Sequence, residues 1–296
     1  MKSEVIALIV DRRRLLDFLA LTKPRLNSLV VATTGVGYFL GANAPFELFV
    51  GIHVLIGSAL VAGGAAALNQ ISERDIDEIM SRTRQRPMPT GRITATEGRL
   101  FASVISAIGL VELALGANII AAAVAAVTLV IYVTVYTPLK RRSPWATIVG
   151  AVPGALPTVI GWTAARSALT VEAWVLFSIV FLWQLPHFHA LSWLYRNDFR
   201  RAGLPLIAVQ DTDGRRTGRH MVFFAAILVP VSLAPSIVGL AGTSHLIIAT
   251  CLSTGFLLLA VRFLVVRTEA RARALFVGSL IYLPLLWGSL IVARLW

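Results

Sequence analysis

Nine apolar runs, each roughly 17 to 25 residues long, dominate this chain and leave little room for any fold but a bundle of membrane-crossing helices. They fall at about 26–42, 50–71, 98–115, 118–136, 146–164, 172–194, 220–240, 245–265 and 275–293. With 57% of its 296 residues hydrophobic and only 14% charged, the chain carries more apolar surface than a soluble domain of this length can bury. The expected fold class is all-α: a polytopic membrane helical bundle of about nine transmembrane helices around a central cavity. No Pro/Gly/Ser-rich linker and no low-complexity tract divides it, so one transmembrane domain over 1–296 is expected.

The formal net charge is +12, and the distribution of the basic residues matters more than their total. Six Lys/Arg precede the first run, six lie in and at the edge of loop 2–3, three in loop 4–5, six in loop 6–7 and four in and at the edge of loop 8–9. The opposite side carries only Arg166 and Arg294. Short loops rich in Lys/Arg stay on the cytoplasmic side, so the N-terminus and the even-to-odd loops are expected there, with the C-terminus outside. The same cations suit anionic headgroups, which makes membrane lipid the expected partner and nucleic acid an unexpected one. Residues 1–25 hold a short apolar run, Val5 to Val10, followed by Asp11 and Arg12-Arg13-Arg14. That order of charge does not fit a secretory signal and reads as an interfacial helix. Cys251 is the only cysteine and sits in an apolar run, which excludes intrachain disulfides and points to core packing.

Polar chemistry gathers at the ends of two runs. The first place is Asn69-Gln-Ile-Ser-Glu73-Arg-Asp75-Ile-Asp77. On a continuous helix, positions 69, 73 and 77 stack along one stripe about 6 Å apart per step. Hard oxygen ligands in a row suit Mg²⁺ bridging to a substrate phosphate, although solvated acids at a helix end are the simpler alternative. Asp75 lies around the helix from this row and is expected to pair with a nearby arginine. Downstream, Arg82-Thr-Arg84-Gln-Arg86-Pro87 offers guanidinium forks for phosphate oxygens, with Arg82 and Arg86 as candidate ligands. Loop 4–5 adds Tyr136-Thr-Pro-Leu-Lys140-Arg141-Arg142. An aromatic belt with topogenic cations explains that segment, unless a diphosphate lies nearby. In that case Lys140 and Arg141 neutralise a leaving group and Tyr136 shelters a carbocation.

The second place is Phe181 to Phe199. Gln184, His187, Leu191, Tyr195 and Asp198 share one helical stripe, as if lining a cavity, and Pro186 is expected to kink the helix. His189 points elsewhere. Loops 2–3 and 6–7 each follow a polar run end, carry six basic residues and hold a Gly/Pro turn, a positional hint of a duplicated unit. In the fifth run, Gly150, Pro153, Gly154, Pro157, Gly161 and Trp162 fit either close helix packing or a pocket wall.

Taken together, these motifs resemble the UbiA-type intramembrane prenyltransferases from about Leu21 to the C-terminus. The resemblance rests on Asn69-x-x-x-Glu73-Arg74-Asp75-Ile-Asp77 with Met80-x-Arg82-Thr83-x-x-Arg86-Pro87, on Tyr136-Thr-x-x-Lys140-Arg141, and on Gly154-Ala-Leu-Pro157 through Gly161-Trp162. It continues in Trp183-Gln184-x-Pro186-His187-Phe188 through Asp198-Phe199-x-x-Ala202-Gly203-x-Pro205, which resembles the branch that farnesylates haem rather than the quinone-ring branch with its several aspartates. Two positions depart from the pattern: Glu73 stands where Asp is usual, and His189 where a larger aromatic or aliphatic side chain is common.

This resemblance implies transfer of the farnesyl group of farnesyl diphosphate to the 2-vinyl group of haem b, giving haem O. It implies Mg²⁺ on Asn69, Glu73 and Asp77, diphosphate on Arg82, Arg86, Lys140 and Arg141, and substrate contacts from Trp183, Gln184 and His187. Asn69, Glu73, Asp77, Tyr136, His187 and Asp198 become the candidate catalytic set, with His187 and either Gln184 or Asp198 positioning the water that completes the product. A bacterial plasma membrane, and haem A synthase or the terminal-oxidase assembly as protein partners, follow from the same resemblance. Two alternatives stay open: a quinone-precursor or chlorophyll-type acceptor on the same fold, and a cation-coupled transporter, which would place its polar groups at mid-membrane.

Overall fold

The computed structural model describes residues 2–42 and 47–295, with side chains from residue 12 onward; residues 1, 43–46 and 296 of the expected 1–296 domain lie outside the described residues. Each apolar run forms one long helix. After α1 (Lys2–Leu21), these are α2 (Pro24–Gly41), α3 (Leu48–Ser72), α5 (Ala95–Gly116), α6 (Ile119–Leu139), α7 (Ala146–Arg166), α8 (Val171–Leu194), α11 (Arg215–Ile237), α12 (Thr243–Val265) and α13 (Glu269–Leu295). Short helices α4 (Arg74–Ile79), α9 (Arg196–Arg201) and α10 (Ile207–Gln210) fill the loops after α3 and α8. Among the described residues, eight of the long helices are long and apolar enough to cross a membrane. The ninth, α2, has 18 residues and is diluted by Arg25, Asn27, Ser28, Thr33 and Thr34.

The outer surface confirms the solvent. On α5, Leu100, Val104, Ile108, Val111 and Leu115 are exposed at helical spacing, an apolar stripe that only lipid satisfies. Cys251 is exposed in the same manner on α12, so it faces outward rather than packing in the core as its sequence context suggests. The helices close into a ring in which α3 packs on α5, α2 on α7, α11 on both α8 and α12, and α13 on α8 and back on α2. Two of the helix starts are closed by side-chain caps. Thr94 and Glu97 make a reciprocal capping box at α5, and Asn118 caps α6 through Ala121 N–H while its amide reaches the Thr163 carbonyl of α7.

Helix α7 is the most enclosed of the spans, and its small residues explain why. A Cβ on Gly161 would fall 1.9 Å from the Thr34 carbonyl oxygen of α2, and one on Gly37 of α2 would fall 2.2 Å from the Thr158 carbonyl oxygen. The two backbones cross with nothing between them. Close packing is therefore the outcome at Gly161, because between helices in lipid no hydrophobic effect drives association and the gain comes from van der Waals contact. Gly161→Ala is expected to cost about 1–3 kcal/mol by overpacking and to lower the thermal midpoint in detergent. Gly255→Ala, where nothing lies within 4 Å of the added Cβ, should leave that midpoint unchanged or raise it.

Two helix breaks position the polar ends. Helix α3 stops at Glu73 (φ −104°, ψ 12°) and six residues of α4 follow; α8 stops at Tyr195 (φ −106°, ψ 19°) and six residues of α9 follow. The positional hint of a repeat thus has a backbone counterpart. The second break also corrects the single stripe expected from Gln184 to Asp198: α8 runs unbroken through Pro186, but the turn at Tyr195 takes Asp198 out of register with Gln184 and His187.

Candidate active site

The acid row survives the break at Glu73 because the i to i−4 pattern bridges it. Glu73 N–H donates to the Asn69 carbonyl at 2.9 Å, and Asp77 N–H to the Glu73 carbonyl at 2.8 Å. Asn69, Glu73 and Asp77 are each 3% exposed or less. Burying two carboxylates and an amide is costly unless each has a partner. Each has a basic one: Lys23 Nζ donates to Asn69 Oδ1 at 3.2 Å, Lys140 Nζ to both Glu73 oxygens at 3.0 Å, and Arg86 Nη1 to Asp77 Oδ2 at 2.7 Å. Thr83 fastens the Arg86 loop by donating to the Asp77 carbonyl at 2.8 Å.

Lys23 is a residue that the sequence reading missed. It sits between α1 and α2 in the left-handed region (φ 48°, ψ 59°), a conformation that costs a non-glycine residue about 1–3 kcal/mol. Burial, reinforced by the Arg86 charge, brings its ammonium down to about 8. The only signal in the sequence was its place directly before Pro24. Tyr132 was missed as well. Its ring lies tilted against that of Tyr136, with centroids 5.2 Å apart, and feels the charges of Glu73, Lys140 and Arg86. Tyr136 itself lies against Gly150, where a Cβ would meet the ring at 2.5 Å, and is within electrostatic reach of Glu73. Both rings therefore border the row.

Two of the four expected diphosphate ligands are engaged elsewhere. Arg141 clamps Asp75 with both guanidinium nitrogens and donates to the Ser72 carbonyl at 2.7 Å, which makes it the arginine partner expected for Asp75 and holds that carboxyl below the usual range. Arg82 stacks over the rings of Tyr195 and Phe199, 5.1 and 5.9 Å from their centroids. That contact joins the two polar loops. So does Ser81, whose hydroxyl reaches both oxygens of Asp198 at 3.1 and 3.2 Å; the Arg201 guanidinium beside Asp198 holds its carboxyl below the usual range. Beneath them Ile76, Met80, Phe199, Leu204 and Leu206 form one apolar cluster. The loop after α3 and the loop after α8 thus meet at one end of the bundle.

The α8 candidates spread over two walls. Gln184 donates its amide to the Ala151 carbonyl of α7 at 2.8 Å, a contact that Gly154 permits because any Cβ there would meet Gln184 Oε1 at 2.3 Å. His187 faces α13, where Nδ1 pairs with Ser279 Oγ at 2.7 Å and the ring lies between Trp183 and Phe276. Trp183 donates to the Ser279 carbonyl at 2.8 Å. His187 therefore stands with Trp183 and Ser279, apart from Gln184 and Asp198. His189 does point away, toward His220 and Phe224 of α11.

A model of the family described as the UbiA prenyltransferase family matches residues 30–289. The chain belongs to that family. It is an integral membrane prenyltransferase. Among its relatives, the protein named protoheme IX farnesyltransferase of Solibacter usitatus is 44% identical over 287 residues, covering 94% of this chain and 98% of its own. The protein of the same name from Koribacter versatilis is 39% identical and is covered over 93% of its length. A UbiA homologue from Archaeoglobus fulgidus, solved with GPP and Mg²⁺, superposes with a TM-score of 0.68 at 16% identity, covering 93% of this chain and 99% of that one; at that identity it attests the fold.

The row fits a hard divalent cation. Asp77 Oδ1 is buried and has no hydrogen-bond partner, an orphan that a metal would satisfy. Asn69 Oδ1 and the Glu73 oxygens supply the rest of a set too small for six-fold coordination, so phosphate oxygens and water are needed to complete it.

Proposed function

We propose that this chain transfers the farnesyl group of farnesyl diphosphate to the 2-vinyl group of haem b, giving haem O and diphosphate with Mg²⁺ present. The observation that carries this reading is the 44% identity, across 94% of the chain, to a relative named protoheme IX farnesyltransferase. The site chemistry supports it. Asn69, Glu73 and Asp77 would hold Mg²⁺, which when bound would offset the charge that builds on the departing diphosphate. Arg86 and Lys140, already on the row, and Lys23 beside them are the cations best placed to take up phosphate oxygens, each forming charge-assisted hydrogen bonds. Arg82 and Arg141 act further out, holding the two loops and Asp75.

When the C1–O bond of the prenyl diphosphate breaks, the electron pair leaves with the diphosphate. The rings of Tyr132 and Tyr136 face the allylic cation so formed and stabilise it through their π clouds. The terminal vinyl carbon of haem b then bonds to C1, leaving positive charge on the carbon next to the macrocycle, where water adds and loses a proton. On this reading the wall of Trp183, His187 and Ser279 meets the flat acceptor, and His187 takes up that proton or orients the water. Gln184 shapes the pocket through α7, and Asp198 braces the loop contact. The basic ends of the helices face the cytoplasm of a bacterial plasma membrane, and the C-terminus faces outside. Haem A synthase or the terminal-oxidase assembly is the proposed recipient of the product.

The deciding assay incubates purified, folded protein with haem b, farnesyl diphosphate and Mg²⁺ and follows the haem by mass. Haem O is the expected product. No haem product from protein with an intact thermal transition, or prenylation of a quinone precursor in its place, would overturn the acceptor.

A further inference from the structure

Asn69 has two chemically different ends on its amide, and only the oxygen can ligate a hard cation. Which end would be offered to a cation is decided not by Asn69 itself but by its neighbours. In the second half of α6, residues Ile131–Tyr136 wind as a π-helix, and the next residues are Thr137 and Pro138. Proline has no N–H to give and crowds the carbonyl four residues back, so widening the turn relieves both problems. The widened turn leaves the Tyr132 carbonyl five residues behind Thr137, and Thr137 Oγ1 donates its hydrogen there at 2.8 Å.

A hydroxyl has one hydrogen. With that hydrogen given to Tyr132, Thr137 can only accept from Asn69, whose Nδ2 lies 3.2 Å away. The pair is sealed, since Thr137 is 3% exposed and Asn69 likewise 3%. Asn69 Oδ1 is thereby turned to the opposite side, where Lys23 Nζ, a group with donors only, meets it at 3.2 Å. Two independent partners, one that must accept and one that must donate, agree on the same orientation.

We infer that Thr137 is a positioning residue for metal binding: through the π turn of α6 it locks the Asn69 amide so that the carbonyl oxygen, not the NH₂ group, is the end offered to a cation on the row. This rests on the reading of Asn69 as a metal ligand. Partners that orient a ligand in this way typically carry about 10–100-fold in metal affinity. Thr137→Val keeps the shape and removes both hydrogen bonds. Thr137→Ser keeps the hydroxyl.

The test measures Mn²⁺ binding by electron paramagnetic resonance to the purified full chain in the presence of inorganic pyrophosphate. Thr137→Val should weaken binding by about 10-fold or more, and Thr137→Ser should stay within about twofold of the parent. A second background separates orientation from general packing. Asp at position 69 offers oxygen at both ends and needs no orienting, so in the Asn69→Asp protein the penalty of Thr137→Val should shrink to less than about twofold. An equal penalty in both backgrounds would assign Thr137 a packing role and overturn the inference. Wild-type Mn²⁺ affinity in Thr137→Val, with Asn69→Ala defective, would overturn it too. If Asn69→Ala also binds like the parent, the ligand reading of Asn69 falls and takes the inference with it.

Discussion

Asp77→Asn should lower prenyl transfer by about 10³-fold or more at saturating substrates and Mg²⁺, while the protein still extracts and elutes as a folded species. The side chain is 1% exposed and has one oxygen on Arg86 and the other without a partner, so the substitution removes the charge from the position best prepared for a cation. An amide in its place keeps the volume and can still accept from Arg86. Stability should therefore change little beside the loss of turnover. Comparing rates with thermal unfolding in detergent checks both halves of the expectation. Retained turnover would remove the metal-ligand role from Asp77.

Lys140→Met is expected to damage stability and activity together, and a second substitution should separate them. Lys140 Nζ spans both oxygens of Glu73, which is almost fully enclosed. Leaving that carboxylate without its counter-charge costs about 3 kcal/mol, the lower end for a buried pair because Lys140 keeps some exposure. Turnover should fall by about 10²-fold, as the leaving diphosphate loses a cation. Adding Glu73→Gln removes the stranded charge, so the double variant should recover most of the lost stability and none of the turnover. A double variant as unstable as Lys140→Met alone would mean that packing, not charge, makes the lysine necessary.

Apolar run length gave the helices, and helical spacing gave the row of Asn69, Glu73 and Asp77, because both depend on local geometry that a sequence states directly. The arginine partner of Asp75 was legible as a type but not as Arg141, since that pairing joins residues 66 positions apart. Lys23 escaped notice for a different reason: a left-handed residue before Pro24 turns its ammonium into the bundle, and side-chain type alone does not report backbone handedness. The stripe from Gln184 to Asp198 failed where periodicity must fail, at a break. One turn at Tyr195 was enough to send Asp198 to Ser81 and leave His187 with Ser279. The π turn before Thr137 likewise shifts every later residue of α6 by one place, which is how Thr137 arrives beside Asn69.

The pairing of every member of the acid row with a lysine or arginine would set an order of loading if the row binds metal and diphosphate as proposed. Two carboxylates there are faced by Lys23, Arg86 and Lys140, an excess of positive charge that favours the approach of a polyanion over that of a bare divalent ion. On the proposed reading the prenyl donor would come first or carry its magnesium in with it, and each basic group would trade a protein oxygen for a phosphate one without any charge being stranded along the way.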